Sequence, residues 1–194
     1  MTDICLGFEV HQPIRINGNF KEERRKGKKA ENPSNIYFDN KQNRSILKRV
    51  IKKSYLPGNE TILRTIDDFK GGRKEFKVVY SISGVLVEQL RRWAPEVLDS
   101  FRNLAESGCV EFLDQTYYHS LSSLFSDERE DFIDQVNFHR HLMKDVFCQE
   151  PKVFENTEFI YNNSIARTLE GMGYLGVFTE GAERVLQGRS THYV

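Results

Sequence analysis

Five short apolar segments recur along this chain, and stretches with helical periodicity separate them. They are residues 4–10 (ICLGFEV), 76–83 (FKVVYSIS), 109–114 (CVEFLD), 152–156 and 174–179 (YLGVFT). Strands that alternate with helices pair in parallel, because each helix carries the chain back to the edge where the next strand starts. The alternation therefore confines the chain to α/β folds built on parallel strands. A closed barrel of eight such units takes about 250 residues. This chain has 194, so a barrel made from it would be unfinished. Its first and fifth strands would be open edges, which promote aggregation.

The helical stretches carry their own signals. Ile46, Leu47, Val50 and Ile51 share one face, and Ile62, Leu63, Ile66 and Phe69 share another. Pro57 and Gly58 predict a break between these two helices, and Gly71 with Gly72 predicts the end of the second. Gly84 opens a helix through Trp93. Pro95, suited to a first turn, opens another that ends near Gly108. Asp127 is the predicted N-cap of a long helix bearing Phe132, Val136, Leu142, Met143, Val146 and Phe147. Asn162 and Asn163 cap a helix over 164–170, closed by Gly171 and Gly173. Residues 15–40 are polar, with Gly18, Gly27 and Pro33, and read as a long excursion of a kind that is often functional.

Charge and cysteine usage exclude several function classes. Lys and Arg number 28 and Asp and Glu number 28, a formal net charge of zero. Nucleic acids and anionic membranes select a basic face, so neither is an expected partner. The basic run at 21–29 (KEERRKGKK) reads as a solvated loop. Cys5, Cys109 and Cys148 form no C-x-x-C pair, so no zinc or redox motif is predicted. Cys5 and Cys109 read as small core residues of strands. No apolar run reaches membrane-spanning length and no signal-peptide pattern opens the chain, so a cytoplasmic location is expected.

The chemistry gathers where the strands end. The first strand leads to His11 and Gln12, and the second holds Ser81 and Ser83. The third contains Glu111 and leads to Tyr117, Tyr118 and His119. The fourth leads to Glu158 and the fifth to Glu180. Carboxyl ends of parallel strands point one way, so these groups can converge on one mouth. A histidine, several carboxylates and aromatic rings suit a carbohydrate, and glycoside hydrolysis needs a carboxylate pair. Glu111 alternates with Val110 and Phe112, so it faces away from them. His139 and His141 are two apart on a predicted helix, do not face each other and read as structural.

In order along the chain, three segments carry a resemblance. They are Val10-His11-Gln12-Pro13, then Gly108-Cys109-Val110-Glu111-Phe112 with Tyr117-Tyr118-His119-Ser120, then Asn156-Thr157-Glu158-Phe159-Ile160-Tyr161-Asn162. Together they resemble the first three motifs of the family 57 glycoside hydrolases, nearest to the α-amylase-like branch. The likeness runs through Tyr55-Leu56-Pro57, Ser81 to Leu90 and Thr179-Glu180-Gly181-Ala182. It implies that residues 1–194 are the N-terminal part of an incomplete (β/α)7 TIM-like barrel with parallel strands. It also implies retaining hydrolysis or transfer at α-1,4 linkages of an α-glucan or maltooligosaccharide, with no metal or organic cofactor. Glu158 matches the family's nucleophile. His11 and Glu111 are carried over as substrate-binding or supporting residues, and Gln12 beside His11 is counted with them by its strand-end position. His119 and Glu180 join them by placement.

The family's general-acid Asp belongs to a later motif that has no counterpart before Val194. The chain alone is therefore expected to be inactive. One alternative is a non-catalytic glucan-binding remnant or half of a split enzyme. Another is a metal-dependent polysaccharide deacetylase, which would need an Asp and His ligand set that the strand ends do not offer.

Overall fold

The computed structural model describes residues 5–25, 34–72, 74–125, 129–181 and 187–188. The expected N-cap Asp127 and residues 26–29 of the basic run lie outside these. Five parallel strands are present: β1 (Gly7–Val10), β2 (Val78–Ile82), β3 (Val110–Phe112), β4 (Val153–Glu155) and β5 (Gly176–Phe178). They form a sheet in the order β1-β2-β3 and a second, β4-β5. A single parallel bridge, Asp114 to Phe154, joins the two sheets, with Asp114 N–H donating to the Val153 carbonyl over 2.9 Å. The expected parallel α/β arrangement is therefore present, but as two small sheets and not as a barrel. Strands of three residues make short ladders, and the chain turns after each one.

The largest departure from expectation lies before β2. Pro57 and Gly58 do not break the helix. Helix α3 (Asn40–Val50) passes through a π turn (Ile51–Tyr55) directly into α4 (Leu56–Phe69). α1 (Phe20–Arg25) and α2 (Ser34–Tyr37) precede it. Leu56 N–H donates to the Ile51 carbonyl, an i to i−5 bond. Proline is disruptive in a helix because it lacks a donor and its ring meets the carbonyl four residues back. The π turn resets the ladder immediately ahead, so Pro57 falls in a first turn, where no donor is required. Such π bulges are rare and cluster at functional sites.

The excursion at 15–40 is stapled at its base. Asn17 N–H donates to the Tyr37 carbonyl over 2.7 Å and Asp39 N–H to that of Arg15 over 3.0 Å. Later elements α5 (Gly84–Trp93), α6 (Pro95–Glu106) and α8 (Asn163–Gly171) follow their predicted signals, whereas α7 (Glu130–Phe147) has Arg129 at its N-cap, without a side-chain bond, in place of the expected Asp127. Ser83 caps α5 and Asn162 caps α8 through side-chain oxygens.

Alternation along the strands sorts the side chains. Tyr80, Ile82, Val110 and Phe112 face the helices and join Leu47, Ile66, Leu90, Phe101 and Phe147 in one core. Phe154 joins Phe132, Val136, Ile165, Leu169 and Tyr174 in a second. The opposite face of the strands carries Glu9, Ser81, Glu111 and Glu155. Cys5 corrects one expectation: it is exposed, because the paired strand begins only at Gly7, whereas Cys109 packs against the first core.

Candidate active site

The carboxyl ends of β1, β2 and β3 hold an interlocked polar cluster. The His11 and His119 rings stack, with centroids 4.3 Å apart. Ser83 Oγ lies 2.7 Å from His11 Nδ1. That hydroxyl already accepts the capping bond from Leu86 N–H, so its own proton is free to go to His11. His11 Nδ1 is then the acceptor and Nε2 carries the ring proton. Burial, and secondarily the neighbouring His119, hold His11 down at about 4, so it is neutral at physiological pH.

His119 is held from both sides. Its Nε2 is 3.2 Å from Glu9 Oε1 and its Nδ1 is 3.2 Å from Gln115 Oε1. Gln115 Nε2 donates to Ser81 Oγ over 2.8 Å, and Ser81 in turn is the hydrogen-bonding neighbour of Glu155. Glu155 is buried. That burial raises its carboxyl above the ordinary range; the Ser81 bond opposes the rise and the Glu9 charge adds to it.

Below this cluster lies a buried brace. His139 is fully buried, with Nδ1 2.5 Å from Asp114 Oδ1 and Nε2 donating to the Ile82 carbonyl over 2.8 Å. Tyr174 donates its hydroxyl proton to the other Asp114 oxygen, and the Arg140 guanidinium lies 4.5 Å over the Tyr174 ring. Asp114 Oδ1 also accepts from Gln115 N–H over 3.0 Å. The brace therefore ties α7 to the ends of β2 and β3 and fixes the backbone from which Gln115 projects. His139 does the structural work its spacing implied.

Glu158 sits one turn beyond β4, in the 3-10 turn Thr157–Phe159. It is exposed and, at φ 57°, ψ 25°, left-handed. Phe159 follows at φ 52°, and His119 in the cluster stands at φ 51°. Non-glycine residues in this region carry roughly 1–3 kcal/mol of strain each, and such strain persists where the surroundings over-determine the backbone. Here they do. Thr157 Oγ1 is 3.2 Å from Thr116 Oγ1, and Asn156 Nδ2 donates to Ser123 Oγ and to the Ile160 carbonyl. Among the described residues Glu158 has no side-chain hydrogen bond.

The remaining candidates scatter. Gln12 turns its side chain towards Tyr55 at the end of the π turn, its carbonyl accepts from Gln89 Nε2 over 2.6 Å, and its Oε1 is buried without a partner. Glu111 stands beside Val79, two residues short of Ser81, and lines a hollow with Cys5, Lys77 and Gln149 near the amino ends of the strands. The structure does not bring it to the mouth. Glu180 is half-buried after β5. Sequence reasoning passed over Glu9 and Gln115, and set Glu155 aside only as a poor match to the missing acid's motif. Strand alternation could have found Glu9 and Glu155, since each is next to a core residue, Val10 or Phe154, and so faces the other way. Nothing local singles out Gln115. Among the described residues, no group of three or more His, Cys, Asp or Glu could hold a metal ion, and no helix is long and apolar enough to cross a membrane.

The family follows from comparison with known proteins. A model of glycosyl hydrolase family 57 matches residues 5–194. The chain belongs to that family. It is 44% identical, over 98% of its length, to a protein provisionally called an alpha-amylase in Methanocaldococcus jannaschii, and spans 38% of that relative. Two solved structures share the fold. The 4-alpha-glucanotransferase of Thermococcus litoralis superposes with a TM-score of 0.70 at 18% identity, over 96% of this chain and 23% of that one. The family 57 branching enzyme of Pyrococcus horikoshii gives a TM-score of 0.67 at 16% identity, over 98% and 43%. This family 57 chain thus covers well under two thirds of its relatives.

Proposed function

We propose that this chain is the N-terminal part of a catalytic barrel that hydrolyses or transfers α-1,4-glucan linkages with retention, and that Glu158 is the nucleophile. One observation carries the reading. Glu158 lies just past the carboxyl end of a parallel strand, in strained and over-determined backbone, with a histidine-rich cluster on the neighbouring strand ends. The names of the relatives, an alpha-amylase and a 4-alpha-glucanotransferase, point to the substrate class.

In this mechanism Glu158 attacks the anomeric carbon while an acid protonates the leaving oxygen. Water or a second sugar hydroxyl then resolves the glycosyl-enzyme. Retention places the two carboxyl groups about 5–5.5 Å apart. The acid comes from sequence beyond this segment in the complete protein. The exposed Glu158 carboxylate is accessible to a substrate. His11 and His119 form a stacked wall of the donor-sugar site, and neutral His11 offers an Nε2 proton to a sugar hydroxyl. Glu180 and Gln12 support the site from its margins, and Glu111, at the other end of the strands, takes no part in it.

The test is Glu158→Gln in the full-length protein, assayed on maltooligosaccharides. Loss of turnover with an unchanged melting temperature supports the reading, and wild-type turnover removes Glu158 from the role. Product analysis separates hydrolysis from transfer.

A further inference from the structure

Beside the mouth lies a hollow that the mechanism leaves unused. Phe138, His141, Leu142 and Asp145 recur along α7 at i, i+3, i+4 and i+7, so they share one face, and Tyr117 and Tyr118 line the same groove. Its volume is about 330 Å³, within the range of about 300–1,000 Å³ that ligand pockets occupy. Tyr118 is 56% exposed and Phe138 is 59% exposed. A single exposed apolar residue needs no explanation, but two large rings on one open groove do. The tyrosines are held in place. The Tyr117 hydroxyl donates to Glu88 Oε1 over 2.7 Å, and its ring lies so close to Gly84 that an added Cβ would meet it at 2.7 Å. Tyr118 N–H donates to Gln135 Oε1 on α7 over 3.4 Å, and its ring meets the Tyr117 ring edge-on, with centroids 4.9 Å apart. Rigid rings of this kind bind with little loss of side-chain freedom.

The polar groups of the α7 face are acceptors. His141 Nδ1 donates to the Asn137 carbonyl over 2.6 Å, which leaves Nε2 of the neutral ring to accept. Asp145 is exposed, and among the described residues its carboxylate has no hydrogen bond or ion pair. No lysine or arginine lines the groove, so a phosphate would find no cation there and would meet the Asp145 charge. The ligand that fits has hydroxyl donors around an apolar face, and a sugar ring has both. Tyr118 also leads directly into His119, the stacked wall of the donor-sugar site, so groove and mouth are continuous along the chain. We propose that the groove between Tyr118 and α7 is a second α-glucan site. A glucosyl unit stacks on Tyr118 and Phe138 and donates hydroxyl protons to Asp145 and to His141 Nε2. The groove holds the polymer beside the mouth while Glu158 acts on another part of the same chain. The inference rests on the glucan-active reading above.

The experiment measures the dissociation constant for amylose by affinity electrophoresis, and kcat and KM for maltotetraose, in the full-length protein. Wild type is compared with Phe138→Ala and Asp145→Ala, two exposed positions outside the cores. The dissociation constant for amylose is expected to rise about tenfold in Phe138→Ala, from the lost ring contact. It is expected to rise about threefold in Asp145→Ala, from the lost hydrogen bond. Both variants keep wild-type kcat and KM on maltotetraose. Unchanged amylose binding in either variant overturns the proposal and leaves the function standing. So does an equal loss on amylose and maltotetraose, which would make the groove part of the catalytic mouth. A Phe138→Ala variant that binds amylose normally but changes its oligomeric mass in sedimentation gives the groove to a second copy, and also overturns it. If Phe138→Ala fails to fold, Asp145→Ala alone decides. A wild type that turns over neither glucan sinks the function itself.

Discussion

The two halves of the candidate site are built on opposite principles. At the ends of β1 to β3, His11, Ser83, His119, Gln115 and Ser81 hold one another in a closed network, and the buried Asp114–His139 pair fixes the peptide beneath them. Past β4, Glu158 stands exposed in left-handed backbone with its carboxylate uncommitted. Under the proposed function, the first half is finished before substrate arrives. The second stores strain and leaves an acid group unsatisfied, which suits a group that must form and break a bond. Rigidity around one half is what makes the strain of the other affordable.

Four variants and one titration test that contrast. The largest effect belongs to Glu158→Gln, which lowers turnover of the full-length protein on the order of 10⁴-fold; a loss of only a few-fold would erase the distinction between the halves. Next comes Asp114→Ala, which strands His139, Arg140 and Tyr174 around a buried gap and costs roughly 3–5 kcal/mol in denaturant unfolding. A loss below 1 kcal/mol would show that the brace is not what holds the first half. Gly84→Ala follows. Its added Cβ would meet the Tyr117 ring at 2.7 Å, so about 1–3 kcal/mol is lost as the ring is displaced. Wild-type stability there would mean the ring has room to move.

Glu158→Gly works in the other direction. Glycine adopts left-handed backbone freely, so stability rises by about 1 kcal/mol while activity is lost; an unchanged melting temperature would mean the turn stores no strain. The smallest effect is the titration of His11. Its native value, about 4, lies below its unfolded 6.5, so the unfolded chain binds more protons between them. His11 therefore costs stability as pH falls from about 6.5 towards 4, and its contribution is constant above that window. His11→Asn should flatten that part of the pH–stability curve. An identical slope in the variant would place the acid sensitivity elsewhere.

The extent of what could be read along the chain differs from element to element, for physical reasons. Gly84, Pro95 and Asn162 announced the starts of α5, α6 and α8, because caps and first-turn prolines act within a few residues. Pro57 misled, because the same local rule predicts a break and only the π turn ahead of it supplies a register that tolerates proline. His11, His119 and Glu158 were legible as polar residues at strand ends. Gln12 was legible too, yet its side chain turns to Tyr55, a partner brought to it by that same π turn.

By itself the sequence determined the family, the order of strands and helices, and the residues at each strand end, since these follow from periodicity, caps and motifs written in consecutive residues. Only the tertiary structure decided that Glu9, Ser81, Gln115 and Glu155 meet, that His139 braces the mouth, that Glu111 lies away from it, and that Glu158 is held left-handed. Each of those facts depends on contacts between segments far apart in the chain, which no local pattern encodes.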